Sequence, residues 1–374
     1  MQYLCVHING VLMPSTFYLQ LNMQQQFLRF TTALYLAVMT VAHLAAQDQQ
    51  FTQFYAAPLT LNPALTGAFE GKYRVATVYR DQWRAVLDEP VQNYAVAGDF
   101  RFSPRKRRVV EDAIGLGLLF TNDKVNVIDF NTTQIALSFA YHKSLNPDNT
   151  QYLSAGFQAG VTQRNLNYGS LQFHDQFDGF SGFSGGTAEE LPANNFAYMD
   201  LNAGINYSAK IGRRSNIFAG VAYHHFNTPV IAFDRTSDTD KGELLYSRLS
   251  AQLSANMPIG GRHSRVSFLP RVLVAQQGPH LQTNAGANFR AGLGDEGNIA
   301  LHLGSWVRGV KNNDGAGLDA AVLLLGLELN NVLLGLSYDL NLKALGYNQR
   351  QGAFEISIAY LGNYASDGVI CPKF

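Results

Sequence analysis

Along most of the chain, hydrophobic and polar positions alternate. In TQIALSFAYH (133–142), Ile135, Leu137, Phe139 and Tyr141 take one side, and Gln134, Ser138 and His142 the other. In AFEISIAY (353–360), Phe354, Ile356, Ile358 and Tyr360 oppose Ala353, Glu355, Ser357 and Ala359. Successive side chains of a strand point to opposite faces, so a period of two specifies a strand with one greasy face. Such segments are predicted at 72–80, 91–102, 113–123, 131–143, 151–164, 196–210, 214–226, 243–257, 264–275, 280–293, 296–308, 316–329, 331–342 and 351–361. An even number of strands lets a closed antiparallel barrel return both chain ends to one side of a membrane.

The connections agree with that topology. If the first strand runs outward, the links at 164–195 and 227–242 fall on the outside, and short links at 145–150, 211–213 and 330–331 fall on the periplasmic side. Long loops outside and short turns inside are what an outer-membrane barrel needs. One inward link, 103–112 with Arg105-Lys106-Arg107-Arg108, breaks the pattern. The segment LNYGSLQFHDQFDGFSGFSGGTAEELPANN, rich in Gly, Phe and Asp, is either a surface contact or a cover for the mouth.

The polar faces carry charge within the strands: Arg74, Asp99, Arg101, Arg164, Asp200, Arg248, Arg271, Arg290, His302, Asp319, Asp339 and Glu355. A lipid-facing Arg at mid-depth costs roughly 2–4 kcal/mol, so these side chains are expected to point inward. The lumen is then wet or salt-bridged. The 316–329 segment fits least well, because Leu323, Leu325 and Leu327 share the parity of Asp319.

Composition narrows the class further. Charged residues make up 15% of the chain, against about 25% in ordinary soluble proteins, yet no long apolar run marks a membrane helix. MQQQFLRFTTALYLAVMTVAHLAAQ, from Met23, reads as a signal peptide over 23–46: Arg29, an apolar run, then Ala45-Ala46 before Gln47. Residues 1–22 are expected to be an extra or untranslated leader. Without the leader, 27 basic residues face 28 acidic ones, since Arg29 alone is removed from the 28 Lys and Arg. Near-neutrality argues against nucleic acid as a partner. Of the two cysteines, Cys5 lies in the leader, so the mature chain keeps Cys371 alone and has no internal disulfide.

Little in the sequence points to catalysis or a cofactor. His224 and His225 are strand neighbours and diverge unless a bulge intervenes, so no metal site is expected there. His302 and Ser305 are three apart on a strand and do not form a local pair. GLGDEGN (292–298) reads as a tight turn rather than a phosphate cradle. A non-enzymatic protein without cofactors is expected.

Two blocks of motif stand at the ends. The first is QDQQFTQFYAAPLTLNPALTG (47–67), followed by YR-x(4)-YRDQW (73–83). The second comprises SYDLN (337–341), GAFEISIAY (352–360) and the terminal Cys371-Pro372-Lys373-Phe374. Together and in this order they resemble the PorP/SprF family of the type IX secretion system of Bacteroidetes.

The resemblance implies a Gram-negative outer-membrane protein serving secretion, surface anchoring of adhesins, or gliding. Its implied partners are outer-membrane lipid, periplasmic ring or peptidoglycan-binding components of the system, and a secreted surface protein. The motif positions, Asn62, Pro63, Gly67, Tyr79, Arg80, Asp81, Gln82, Trp83, Tyr338, Asp339, Cys371 and Pro372, are the candidate partner-binding or family-signature residues.

The expected architecture is all-β: a transmembrane antiparallel barrel of about 14 strands over 72–361, with an ordered segment at 47–71 and a periplasmic tail at 362–374. Asn62-Pro63 and Gly67 are turn formers in that segment. Its Phe51, Phe54, Tyr55 and Leu61 need a surface, which is either a periplasmic docking face or the lumen itself. Arg80–Trp83 are expected at the outer rim, in an aromatic girdle. An outer-membrane diffusion channel is the alternative function.

Overall fold

The computed structural model describes residues 5–8, 11–14, 48, 50–69, 71–84, 87, 89–103, 111–180, 182–183, 185–212, 215–233, 243–260, 264–293, 299–312, 315–342 and 352–362. The chain divides into two compact units, Met1–Ala45 and Ala46–Phe374. In the first, Cys5–Ile8 and Val11–Pro14 pair antiparallel. The signal peptide, the basic run 105–108 and the tail with Cys371 and Pro372 lie outside the described residues.

The second unit is a closed barrel of fourteen antiparallel strands. Its strands are β1 (Tyr73–Gln82), β2 (Val91–Phe102), β3 (Ala113–Val125), β4 (Phe130–Ser144) and β5 (Gln151–Leu166). Then come β6 (Asn195–Ile211), β7 (Ser215–His224), β8 (Arg248–Ile259), β9 (Val266–Gln277) and β10 (His280–Leu293). The last four are β11 (Ile299–Asn312), β12 (Gly315–Leu329), β13 (Val332–Asn341) and β14 (Gly352–Gly362). Every strand pairs with its sequence neighbours, and β14 closes on β1 from Ala353↔Gln82 to Gly362↔Tyr73. Each predicted segment corresponds to one strand. Connections 167–194 and 225–247, the longest, open at one end of the barrel, here the loop end; the start of β1 and the end of β14 share the other, terminal end.

The greasy faces point outward. Ile135, Leu137, Phe139 and Tyr141 on β4 are exposed, as are Phe354, Ile358 and Tyr360 on β14. Tyr73 lies beside Phe100 and Tyr360, with ring centroids 6.4 and 5.9 Å apart, which places an aromatic girdle at the terminal end. At the loop end Tyr79 pairs with Tyr94, whose ring lies 5.8 Å from Phe120, but Arg80 is not part of that outer row. Arg80 falls on the parity of Arg74, Ala76 and Val78 and is buried inside the barrel, because Tyr79 already occupies the outward position.

The awkward parity of β12 also has a cause. Arg308 pairs with Ala320 and Gly309 with Leu318, so Asp319 is the extra residue of a β-bulge. Asp319 and Ala320 both turn inward, and the alternation resumes with Leu323 and Leu325 outside and Val322 and Leu324 inside.

Residues 50–69 fill the lumen. The segment is not a strand: Pro58 opens a single helical turn (Pro58–Leu61), and Pro63 opens another (Pro63–Leu65), where the Asn62 side chain accepts a hydrogen bond from the Ala64 amide at 2.9 Å. Proline suits a first helical position because its missing N–H would be unsatisfied there anyway. Phe51, Phe54, Leu59, Leu61, Leu65 and Phe69 are buried. They pack on small inward residues such as Ala76, Ala95, Ala97 and Ala136, and on Leu273, Trp306, Val322 and Leu324. Of the two surfaces open to these aromatics, the lumen is the one they occupy.

Candidate functional site: the plugged lumen

A non-strand segment inside a barrel must find partners for its backbone groups, since each unpaired buried amide or carbonyl costs as much as a lost hydrogen bond. The inward charges and histidines supply them. The amides of Thr52 and Gln53 donate to the two Glu355 oxygens at 2.7 and 2.8 Å. The Gly67 amide donates to Asp99 at 2.7 Å. Arg74 donates to the Leu65 carbonyl at 3.2 Å while pairing with Asp99 at 2.7 Å. The carbonyls of Leu61 and Thr66 accept from the Nε2 atoms of His224 and His142, at 3.2 and 2.8 Å.

Asn62 Nδ2 donates to the β6 and β7 carbonyls of Ile205 and Val221, at 3.1 and 3.3 Å. The lumen is therefore bonded to the plug rather than simply wet.

Glycines give the plug room. A Cβ at Gly115, Gly156 or Gly204 would run into Thr66, the Pro63–Ala64 peptide or the Asn62 side chain. Gly67 itself has φ +72°, and a Cβ there would lie 2.7 Å from the Gly115 Cα. The motif NPALTG thus passes over a strip of the inner wall where backbone meets backbone.

The densest polar cluster gathers four motif blocks that are remote in sequence. Arg80 of YRDQW pairs with Glu355 of AFEISIAY and with Asp339 of SYDLN at 3.1 Å. Thr52 of QFTQF donates its hydroxyl to Asp339 at 2.8 Å and accepts from Arg80 and Arg308 at 2.9 and 3.2 Å. Arg308 also binds Asp339 at 2.8 Å and the bulged Asp319 at 2.6 Å. Gln53 completes it, donating to Ser337 at 3.0 Å and accepting from Ser357 at 2.7 Å. Ring closure explains the meeting, because β14 pairs with β1 and β13 is the next strand beyond it.

At the loop end the plug is held by a second cluster. His225 follows β7 with φ +54°, which keeps it in the lumen beside His224 instead of on the opposite face. Its Nδ1 and Nε2 lie 2.6 Å from Asp200 and from Asp48. Arg248 reaches Asp48 at 3.2 Å and Gln277 donates to it at 3.1 Å. Burial alone would lower the His225 pKa, but the Asp48 charge and the bonds to Asp200 and Asp48 raise it to about 9. Burial pushes Asp48 upward, and the charges of His225 and Arg248 outweigh that, holding it well below the usual carboxylate range. An imidazolium between two carboxylates results.

The sequence-predicted positions therefore do not form one surface. Asn62, Pro63, Gly67, Arg80 and Asp339 lie inside, on or against the plug. Tyr79 and Asp81 take the outward parity, joined at 3.0 Å, with Gln92 donating to Tyr79 at 3.1 Å and Arg84 paired to Asp81, which is itself buried. Tyr338 is exposed on the outer wall. Gln82 borders a polar cavity of about 380 Å³ at the loop end, lined also by Asp48, Asn93, Arg308 and Lys311. Trp83 has φ +65° and donates its amide to Gly352 at 3.0 Å, so it ties the β1 turn to β14.

Sequence reasoning missed Asp48, Thr52, Gln53 and Arg308 as members of the site. Thr52 and Gln53 stand in a quoted motif, and Glu355 has the right parity, but neither signal names a partner. It also missed His142, whose Nδ1 lies 2.7 Å from the Ser154 hydroxyl. Because Nε2 must donate to the Thr66 carbonyl, Nδ1 accepts from Ser154. This serine–histidine pair is buried beneath the plug.

Comparison with known proteins agrees with the motifs. The model of the type IX secretion system membrane protein PorP/SprF matches residues 43–360. No curated sequence matches the chain. Among solved structures, the Pseudomonas putida toluene transporter TodX is 12% identical, with a TM-score of 0.46 over 85% of this chain and 99% of its own. The CymD monoaromatic hydrocarbon channel is 12% identical at TM-score 0.47, covering 84% and 94%. A Pseudomonas aeruginosa FadL homologue is 12% identical at TM-score 0.43, covering 80% and 92%. The family match spans both motif blocks and nearly the whole barrel, so the chain is a member of the PorP/SprF family of type IX secretion system membrane proteins, an outer-membrane β-barrel.

Proposed function

We propose that this protein is a closed, non-enzymatic docking barrel of the type IX secretion system. It serves secretion or surface anchoring of exported proteins of the adhesin or gliding type. On this reading the terminal end meets periplasmic ring or peptidoglycan-binding components, and the loop end meets an exported surface protein. One observation carries it: the lumen is occupied by its own chain, bonded at both ends and along its length. A wall that invests Glu355, Asp339, Asp99 and three histidines in holding a plug favours a rigid platform over a conduit.

The rival reading, a diffusion channel, has in its favour the polar cavity of about 380 Å³ at the loop end. The two differ in what purified protein does. A docking barrel gives no resolvable single-channel steps in planar bilayers and co-purifies with secretion components from outer membranes. Steady conductance without any co-purifying component would overturn the proposal.

A further inference from the structure

The connection 167–194 contains Asp175, Asp178, Glu189 and Glu190, and no Lys or Arg. Its centre is a short hairpin closed by one bridge. Phe177 and Phe183 form an antiparallel bridge with ring centroids 5.3 Å apart. The Asp178 amide donates to the Gly182 carbonyl at 3.0 Å, and its carboxylate accepts from the amides of Phe180 and Gly182 at 2.8 and 3.1 Å. Gly179 and Gly182 supply the positive φ values, +84° and +134°, that the tight tip requires. Asp175 ties the next limb back, accepting from the Thr187 hydroxyl at 3.0 Å and the Ala188 amide at 2.6 Å.

At the tip of this scaffold Phe180 is 100% exposed, and Phe177 and Phe183 are about half exposed. A single surface hydrophobic needs no explanation. A phenylalanine left fully in water beside a turn tied by the Phe177–Phe183 bridge and the Asp178 bonds is different, because the apolar ring has no cover within its own chain. The tip lies at the loop end, outside the strands that carry the lipid-facing belt. Its surroundings choose the occupant. An anionic lipid surface would be repelled by four carboxylates with no compensating cation in the connection, whereas a protein pocket ringed by Lys or Arg would be attracted.

We propose that the Phe177–Phe183 hairpin is a preformed docking knob. It inserts Phe180 into an apolar pocket of a partner protein whose rim is basic and faces Glu189 and Glu190. Aromatic anchors in a pocket with charged complementarity around them are the usual energetic centre of such contacts. That the partner is the exported surface protein rests on the function proposed above; the surface itself does not.

The test uses the full chain in its own outer membrane, with p-benzoylphenylalanine at position 180 and, as control, at the exposed Val127 of the same end. Photocrosslinking at 180 should yield one exported protein at least tenfold above the control. The crosslinked peptide should be apolar and flanked by Lys or Arg. The Glu189→Lys/Glu190→Lys variant should lower that yield at least tenfold, with heat-modifiable gel mobility unchanged. Crosslinks to lipid only, a yield equal to the control, or indifference to charge reversal would overturn the knob. Cells lacking the chain separate the two readings. If they lose surface display but Phe180→Ala cells keep it, the knob alone fails; if they keep display, the proposed function fails and the crosslink still decides the knob.

Discussion

On β4, Ile135, Leu137 and Phe139 meet the membrane side, while Ala136, Ser138 and His142 meet the plug. The two sets alternate along one strand, yet they answer to different demands. Lipid asks of the outer wall only that it be apolar, and many side chains of similar size satisfy that. The plug asks the inner wall for one particular donor, acceptor or absence of a Cβ at each point. Ser138 must reach Thr66 at 2.6 Å, and Gly156 must leave space for the Pro63–Ala64 peptide. The outer wall is therefore a pattern, and the inner wall is a fitted surface.

Removing the plug breaks the comparison most severely. Deletion of 48–66 should leave the outer wall, and hence heat-modifiable mobility, intact while raising bilayer conductance from background to clear single-channel steps. If mobility is lost as well, the wall depends on its filling.

Cutting one inner-wall partner should come next. Glu355→Ala leaves Arg80 and the amides of Thr52 and Gln53 facing a buried gap. Breaking such a buried pair costs about 3–5 kcal/mol, readable by equilibrium unfolding in urea from lipid vesicles. Gly156→Val adds atoms where only backbone could yield. Overpacking of this kind costs about 1–3 kcal/mol, and protease cleavage near Pro63 in the folded barrel should rise with it.

The loop-end anchor gives a pH window. Asp48, held low, contributes above its ordinary 3.8 and loses that contribution as pH falls below it. His225, held high, contributes fully below its ordinary 6.5 and loses the contribution as pH rises through about 9. The anchor is strongest between those ordinary values and released on the alkaline side. A thiol label at Gln50→Cys, with native cysteines changed to serine, should react several-fold faster at pH 10 than at pH 6 once each rate is divided by that of a Val127→Cys control at the same pH, which cancels the rise in thiolate itself. Equal rates would detach His225 from plug retention. The smallest effect belongs to the outer wall, where Leu137→Val removes one methylene from a lipid-facing side chain. The loss is about 0.8 kcal/mol, with conductance unchanged.

These unequal effects track what was readable beforehand. All fourteen strands follow from the period of two, because lipid imposes the same outward demand on every turn of the wall. The inward parity of Arg74, Asp99, Asp339 and Glu355 was equally legible, since no lipid-facing position would accept them. The placement of Arg80 at a rim was wrong because its neighbours Tyr79 and Trp83 suggested a girdle, while its own parity with Arg74 and Val78 pointed inward. The β12 mismatch was a real signal of irregularity, but a bulge is a property of two paired strands and cannot be located on one.

By itself the sequence determined the repeating strand, the even count, the sidedness of most strand residues and the family. These are local or additive properties, each decided within a few residues of chain. Only the tertiary structure decided that 50–69 fills the lumen, that Arg80, Thr52, Asp339 and Glu355 meet, and that His225 turns back to Asp48. Those contacts depend on closing β14 against β1 and on which inward residues then share a height in the barrel. Closure is a global condition on register, and no single segment carries it.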